Sequence, residues 1–238
     1  MNMNRVPKIR LTKKTLANID ELVELYKKEI DRFNTSAKQV YTLLSEHKKL
    51  TPYIHSLKYR VKDPEHLRLK LINKAIACKR KKKEFGINNR NLFKNIDDLV
   101  GVRLLHLNTR QMGDINKALL EIFEEEKYNL IDGPTANTWD NEYRDFFEKL
   151  SMKISQRETL YTSVHYIIGT NNKYQTRCEI QVRTLMEEVW GEVSHKINYP
   201  KPTGIICCEE QIKVLARATS SCTRLVDSIF KSHKEHSG

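Results

Sequence analysis

Residues 178–200 read CEIQVRTLMEEVWGEVSHKINYP, and the fold turns on how this stretch divides. From Cys178 to Arg183 apolar and polar residues alternate, the period of a strand with one buried face. Cys178, Ile180 and Val182 fall on one side and Glu179, Gln181 and Arg183 on the other. From Leu185 the spacing becomes helical, with Leu185, Val189 and Val193 on one face, and the helix ends at Tyr199-Pro200. A carboxylate, an amide and a guanidinium side by side are either a solvated sheet surface or the floor of a site. Periodicity alone leaves both open.

The segment before it behaves in the same way. In 161–169, Tyr161, Ser163 and His165 share one face, and Thr162, Val164, Tyr166 and Ile168 share the other. If the two strands pair as a hairpin, their polar faces must coincide, because a one-residue slip turns every side chain over. Paired residue numbers must then sum to an even value, which requires an odd loop or a bulge. A three-residue loop at 171–173 sets His165 opposite Glu179, Ser163 opposite Gln181 and Tyr161 opposite Arg183.

Upstream, DLVGVRLLHL at 98–107 is an apolar run that reads as a buried strand led by Asp98. A carboxylate there is costly unless it caps, is solvated or meets a cation. Together with Glu179 it offers the oxygen donors Mg²⁺ prefers, with waters and phosphate oxygens completing the shell. Taken singly, each carboxylate also reads as a cap or a surface group. Asp63-Pro64-Glu65 starts a helix, with Asp as N-cap and Pro in the first helical position. Arg60, Lys62, Arg68 and Lys70 surround that start and, with Arg103, suit phosphate. No Walker A, G-x-G-x-x-G or H-E-x-x-H pattern occurs, so P-loop, Rossmann and zincin readings have no support.

Bulk properties agree. The net charge of +12 is unevenly placed: residues 58–103 hold fourteen Lys/Arg against five Asp/Glu, and residues 114–150 four against ten. Such a basic block suits nucleotides or RNA, or is simply a solvated surface. The 238-residue chain is 39% apolar, enough for a packed core, and has no apolar run of membrane-spanning length. MNMNRVPKIRLTKK lacks the apolar centre of a secretory signal, and five cysteines without C-x-x-C read as reduced thiols, so a cytoplasmic protein is expected.

The remaining elements are helices over 12–33 and from Ser36 to Pro52, an extended piece at 53–61, and a helix from Pro64 stopping near Gly86. A helix over 110–127 and an extended piece at 128–132 follow. Residues 133–160 give no clear period beyond a short helix at 140–150, and a last helix covers about 206–233. This order implies an α/β fold with a mixed sheet flanked by helices around one core. Its expected divisions are N-terminal helices at 1–52, a core at 53–200 and a C-terminal helical segment at 201–238.

Four blocks in order, RVKDPEHLRLK at 60–70, DLVGVR at 98–103, YTSVH at 161–165 and EIQVRT at 179–184, followed by Trp190 and His195, resemble the synthetase domain of the RelA/SpoT family. The resemblance implies a nucleotidyltransferase-like mixed sheet in a small, synthetase-only member. It implies transfer of the β,γ-pyrophosphate of ATP to the ribose 3′-hydroxyl of GDP or GTP. By the same resemblance, Asp98 and Glu179 hold Mg²⁺, with Glu179 also helping to deprotonate the hydroxyl. Arg60 and Arg103 sandwich adenine, and Lys62 and Lys70 bind the ATP phosphates. Tyr161 stacks on the acceptor base, and His165, Gln181 and Arg183 line the acceptor side.

Three departures bear on the acceptor: His66 where the family has Ser, Glu158-Thr159-Leu160 where an Asn-Gly commonly precedes the tyrosine, and Ser194 where an acid precedes the histidine. The alternatives are a toxin-type member that modifies the 3′ end of tRNA or makes adenosine alarmones, and a non-catalytic RNA-binding or regulatory module. The two retained carboxylates, Asp98 and Glu179, weigh against the latter.

Overall fold

The computed structural model describes residues 10–157, 159–199 and 202–237. The reading of the first nine residues as no secretory signal, and the positions Glu158 and Pro200, lie outside them. The elements in chain order are α1 (Lys13–Lys28), α2 (Ile30–Glu46), β1 (Ser56–Val61), α3 (Pro64–Arg80), α4 (Leu92–Asn95), β2 (Val100–His106), α5 (Met112–Glu125), β3 (Asn129–Thr138), α6 (Asn141–Lys149), β4 (Lys153–Gln156), β5 (Ser163–Gly169), β6 (Arg177–Thr184), α7 (Leu185–Asn198) and α8 (Ile206–His236). The strands form one mixed sheet in the order β1-β2-β6-β5-β3-β4. β6 is central, parallel to β2 on one side and antiparallel to β5 on the other.

The alternation read from the sequence becomes the two faces of this sheet. Val102, Leu104, Ile180, Val182, Val164, Tyr166 and Ile168 are buried in a core completed by Ile19, Leu22, Tyr26, Phe33 and Leu44 of α1 and α2 and by α5. In register across the opposite face lie Arg60, Gly101 and Glu179 in one row, and Lys58, Arg103, Gln181 and His165 in the next.

Several local expectations need correction. The β5–β6 connection is seven residues long, 170–176, not three. It is odd, as matching the polar faces requires, but the register is offset by two, so His165 lies opposite Gln181 and Ile167 opposite Glu179. The extra length is stabilised locally: the Asn172 side chain accepts from the backbone N–H groups of Tyr174 and Thr176, an Asx-type turn. Tyr161 precedes β5 instead of lying within it. The first helix breaks at Glu29 instead of running to residue 33, and Ser36 lies inside α2, where its hydroxyl donates to Thr176. α3 ends at Arg80, short of Gly86, with Lys82 in the left-handed region at φ 52°. The stretch without clear period contains the end of β3, α6 and β4, which pairs in parallel with β3 at the sheet edge.

Candidate active site

The polar sheet face is roofed by α7. Thr184 ends β6 and caps α7 through a reciprocal capping box with Glu187, so the helix starts directly above the strand that feeds it. The expected apolar stripe is not the buried one: Val189 and Val193 are exposed, whereas Glu188 and Trp190 face inward. Cations on the strands below account for this. Glu188, 5% exposed, pairs through Oε1 with Arg103 Nη1 at 2.8 Å and through Oε2 with Arg183 Nη2 at 2.5 Å, and Lys58 stands 3.7 Å away. Arg103 also meets Glu192 at 2.5 Å. Glu188 and Glu192 are site residues that sequence reasoning missed, because acids on an amphipathic helix ordinarily read as its solvated side.

Between this roof and the sheet is a cavity of about 580 Å³, lined by Arg60, Arg103, Tyr161, Gln181, Arg183 and Trp190 among others. Five sequence-predicted binding residues therefore share one chamber. Gly191 makes room for the Arg183 guanidinium, whereas at Gly101 a side chain would only reach ordinary contact with Arg60. A Cβ on Gly191 of α7 would stand 2.6 Å from Arg183 Nη1, and one on Gly101 of β2 would stand 3.4 Å from Arg60 Nε. Tyr161 projects from the loop before β5. Its hydroxyl is 3.0 Å from His165 Nε2, its ring lies 6.2 Å from that of Trp190, and the Arg183 guanidinium is 5.9 Å from its centroid.

A second, small cluster fixes that arrangement. Trp190 packs with Ile212 and Ala216 of α8, its indole N–H donates to the Ile212 carbonyl at 3.0 Å, and Leu160 and Tyr161 pack against the cluster. The C-terminal helix thereby shapes the site from behind. At the chamber mouth, Tyr199 stacks on His195 at 4.5 Å and takes the His66 ring edge-on at 4.9 Å, so the His66 departure forms part of an aromatic trio.

The carboxylates are beside this chamber. Asp98, two residues before β2, forms ion pairs with Lys62 Nζ at 2.8 Å and Lys70 Nζ at 2.7 Å. Lys62 leaves the end of β1, where the Tyr26 hydroxyl donates to its carbonyl, and Lys70 comes from α3. Burial pushes the Asp98 carboxyl up, but the two ammonium groups outweigh it and hold it at about 2. Burial pulls the Lys62 ammonium down, and Asp98 restores part of that loss.

Glu179 lies on β6 opposite Gly101, its Oε1 3.2 Å from His165 Nδ1 and its Oε2 accepting from Gln181 at 2.7 Å. Burial and the Asp98 charge raise its pKa, while His165 and Gln181 bring it below the ordinary carboxylate range. Both groups are thus ionised at neutral pH and close enough to feel each other. Ionised carboxylate oxygens are the donor type Mg²⁺ prefers, and no group of three or more His, Cys, Asp or Glu suited to a metal occurs among the described residues.

The family model described as the region found in RelA/SpoT proteins matches residues 59–204, well over half of the chain. The chain belongs to the RelA/SpoT family. No curated protein sequence matches it. Among solved structures, the small alarmone synthetase 1 from Bacillus subtilis is 20% identical, with a TM-score of 0.52 over 91% of this chain and 96% of that one. The same enzyme bound to its product pppGpp is 18% identical, with a TM-score of 0.59 over 89% and 97%. A GTP pyrophosphokinase family protein from Streptococcus pneumoniae is 17% identical, with a TM-score of 0.52 over 94% and 97%. At these identities the likeness is one of fold, and it spans nearly the full length of each relative. Among the described residues, no helix is long and apolar enough to cross a membrane.

Proposed function

We propose that this RelA/SpoT-family chain is an ATP-dependent pyrophosphokinase acting on GDP or GTP, and so makes (p)ppGpp. The observation that carries the reading is Asp98 held between Lys62 and Lys70 next to a chamber walled by Arg60, Arg103, Tyr161 and Arg183. Phosphate-binding cations, paired carboxylates and base-stacking surfaces occur there together. The family match, and the activity and product of its structural relatives, support the same reading.

In this reading adenine lies between Arg60 and Arg103, which requires Arg103 to loosen its hold on Glu188 and Glu192. Lys62 and Lys70 exchange part of their contact with Asp98 for the ATP phosphates. Asp98 and Glu179 would hold Mg²⁺, which would supply positive charge against the charge developing on the transferred phosphates. Tyr161 stacks on the acceptor base, with Gln181 and Arg183 beside it. The ribose 3′-oxygen attacks the β-phosphorus, the bond from that phosphorus to the α,β-bridging oxygen breaks, and AMP leaves. Glu179, oriented by His165 and Gln181, takes up the hydroxyl proton. Most of the acceleration comes from alignment and fixed charge. The cytoplasm, which supplies both nucleotides, is the expected location.

The deciding experiment incubates the protein and Mg²⁺ with ATP labelled in the β- and γ-phosphates and, separately, with GDP, GTP, AMP or tRNA. Label should enter a guanosine nucleotide, with AMP released in equal amount. Asp98→Asn and Glu179→Gln should each lower transfer at least a thousand-fold while leaving the far-UV spectrum unchanged. Label appearing only in tRNA or in adenosine nucleotides would transfer the acceptor assignment to those molecules.

A further inference from the structure

A second cavity, of about 660 Å³, lies where β2 and β6 begin and shares no lining residue with the first. Its volume is within the range typical of small-ligand sites. Its rim carries five cations, Arg32, Arg90, Lys94, Lys127 and Arg177, and no carboxylate lines it among the described residues. Arg32 pairs with Glu29 at 3.0 Å and Arg177 with Asp97 at 2.5 Å, whereas Arg90, Lys94 and Lys127 have no carboxylate within ion-pair distance among the described residues. The cavity therefore carries roughly three uncompensated positive charges, focused by low-dielectric walls.

Its floor is rigid. The Arg32 guanidinium lies 4.7 Å from the centroid of Phe33, 4.4 Å from Phe93 and 4.7 Å from Tyr174, fixed among three rings. Tyr174 belongs to the 170–176 loop, which is anchored by Asn172 donating to Ser36 and Asn171 donating to the Glu126 carbonyl. A concave, pre-arranged surface of this charge suits one small ligand with several negative charges close together.

We infer that this cavity is a binding site for a small ligand bearing linked phosphates, separate from the chamber that holds Tyr161. The inference does not rest on the proposed reaction. It does place the ligand beside the chemistry, since Arg177 precedes Glu179 by two residues and its partner Asp97 adjoins Asp98.

Hydrogen exchange with inorganic tripolyphosphate as probe tests it, because the amides of 170–177 and 90–96 report this cavity and those of 185–195 report the other. Tripolyphosphate should protect the first two segments in a saturable way. Arg90→Ala/Lys94→Ala/Lys127→Ala, three exposed side chains whose loss leaves the melting transition intact, should weaken that protection about thirty-fold, leaving protection at 185–195 unchanged. A parallel titration with GTP distinguishes the sources. Equal strength means the phosphate chain alone is read, and a preference of five-fold or more that disappears in Tyr174→Ala means a nucleotide is read. Absence of protection at millimolar probe, or protection identical in the triple variant, would overturn the assignment.

Discussion

Replacing Gly191 by alanine separates the stability of the fold from the geometry of the site. The added Cβ would lie 2.6 Å from Arg183 Nη1, closer than such contacts occur, and a tight 3.3 Å from its Cζ. The end of an arginine normally swings away at little cost, but this side chain is 4% exposed, with Nη2 fixed on Glu188. Two effects on stability oppose each other. Alanine in a helix interior gains about 1 kcal/mol over glycine. Overpacking a filled region costs about 1–3 kcal/mol. The net loss is about 0–2 kcal/mol, a fall in Tm of roughly 0–8 °C for a chain of this size.

The site should suffer more. A displaced Arg183 gives up a charge-assisted contact worth about 1.5–3 kcal/mol, or roughly ten- to a hundred-fold in kcat/KM for the acceptor. The assay is steady-state transfer with acceptor and ATP varied in turn, alongside a thermal melt. The acceptor term should fall at least ten-fold, and the ATP term by clearly less. Wild-type acceptor kinetics in a normally melting Gly191→Ala protein would refute the claim that the missing Cβ keeps Arg183 in place for the acceptor.

Tyr161→Phe, which loses only the contact to His165, should be mild, while Tyr161→Ala should cut acceptor kcat/KM roughly ten-fold or more; equal damage in both, measured against varied GDP, would show that the hydroxyl is the working part. Because the folded-state pKa of Asp98 is depressed to about 2 from 3.8, its contribution of roughly 2 kcal/mol is fully present above pH 3.8 and fades as pH falls through 2. Urea melts of wild type and Asp98→Asn should therefore converge by about 1.5 kcal/mol between pH 5 and pH 2.5, with the remainder lost only at still lower pH. Lys81, Lys82 and Lys83 follow the end of α3 and lie roughly 14 Å or more along it from Lys70, so neutralising all three should leave transfer to GDP unchanged while abolishing most of any salt-sensitive transfer to tRNA.

The polar floor of the site was legible because strand alternation is strict. Glu179, Gln181 and Arg183 can share a face in only one way, and the even pairing that brings His165 to them followed from burying Ile180 and Val182. What escaped was controlled by shorter-range chemistry. The two-residue offset comes from Asn172 closing a local turn, which ordinary loop lengths do not announce. The break at Glu29 has no glycine or proline to mark it. Glu188 was missed because its burial depends on Arg103 and Arg183, residues of two different strands that neighbour each other only after the sheet forms. The contribution of α8 to Tyr161 depends on tertiary packing through Trp190 and has no local signature at all.

The central position of β6 has a consequence for how such a chain tolerates change. Glu179 is located twice, by Gly101 across the parallel pair and by Ile167 across the antiparallel one. The connection at 170–176 therefore does not carry the placement of the carboxylate by itself. Adding or removing a residue in that loop should leave Glu179 opposite Gly101, because β2 keeps β6 in step. Insertions between Asp98 and Gly101 have no such safeguard: there, a single added residue would carry the first carboxylate away from both of its lysines.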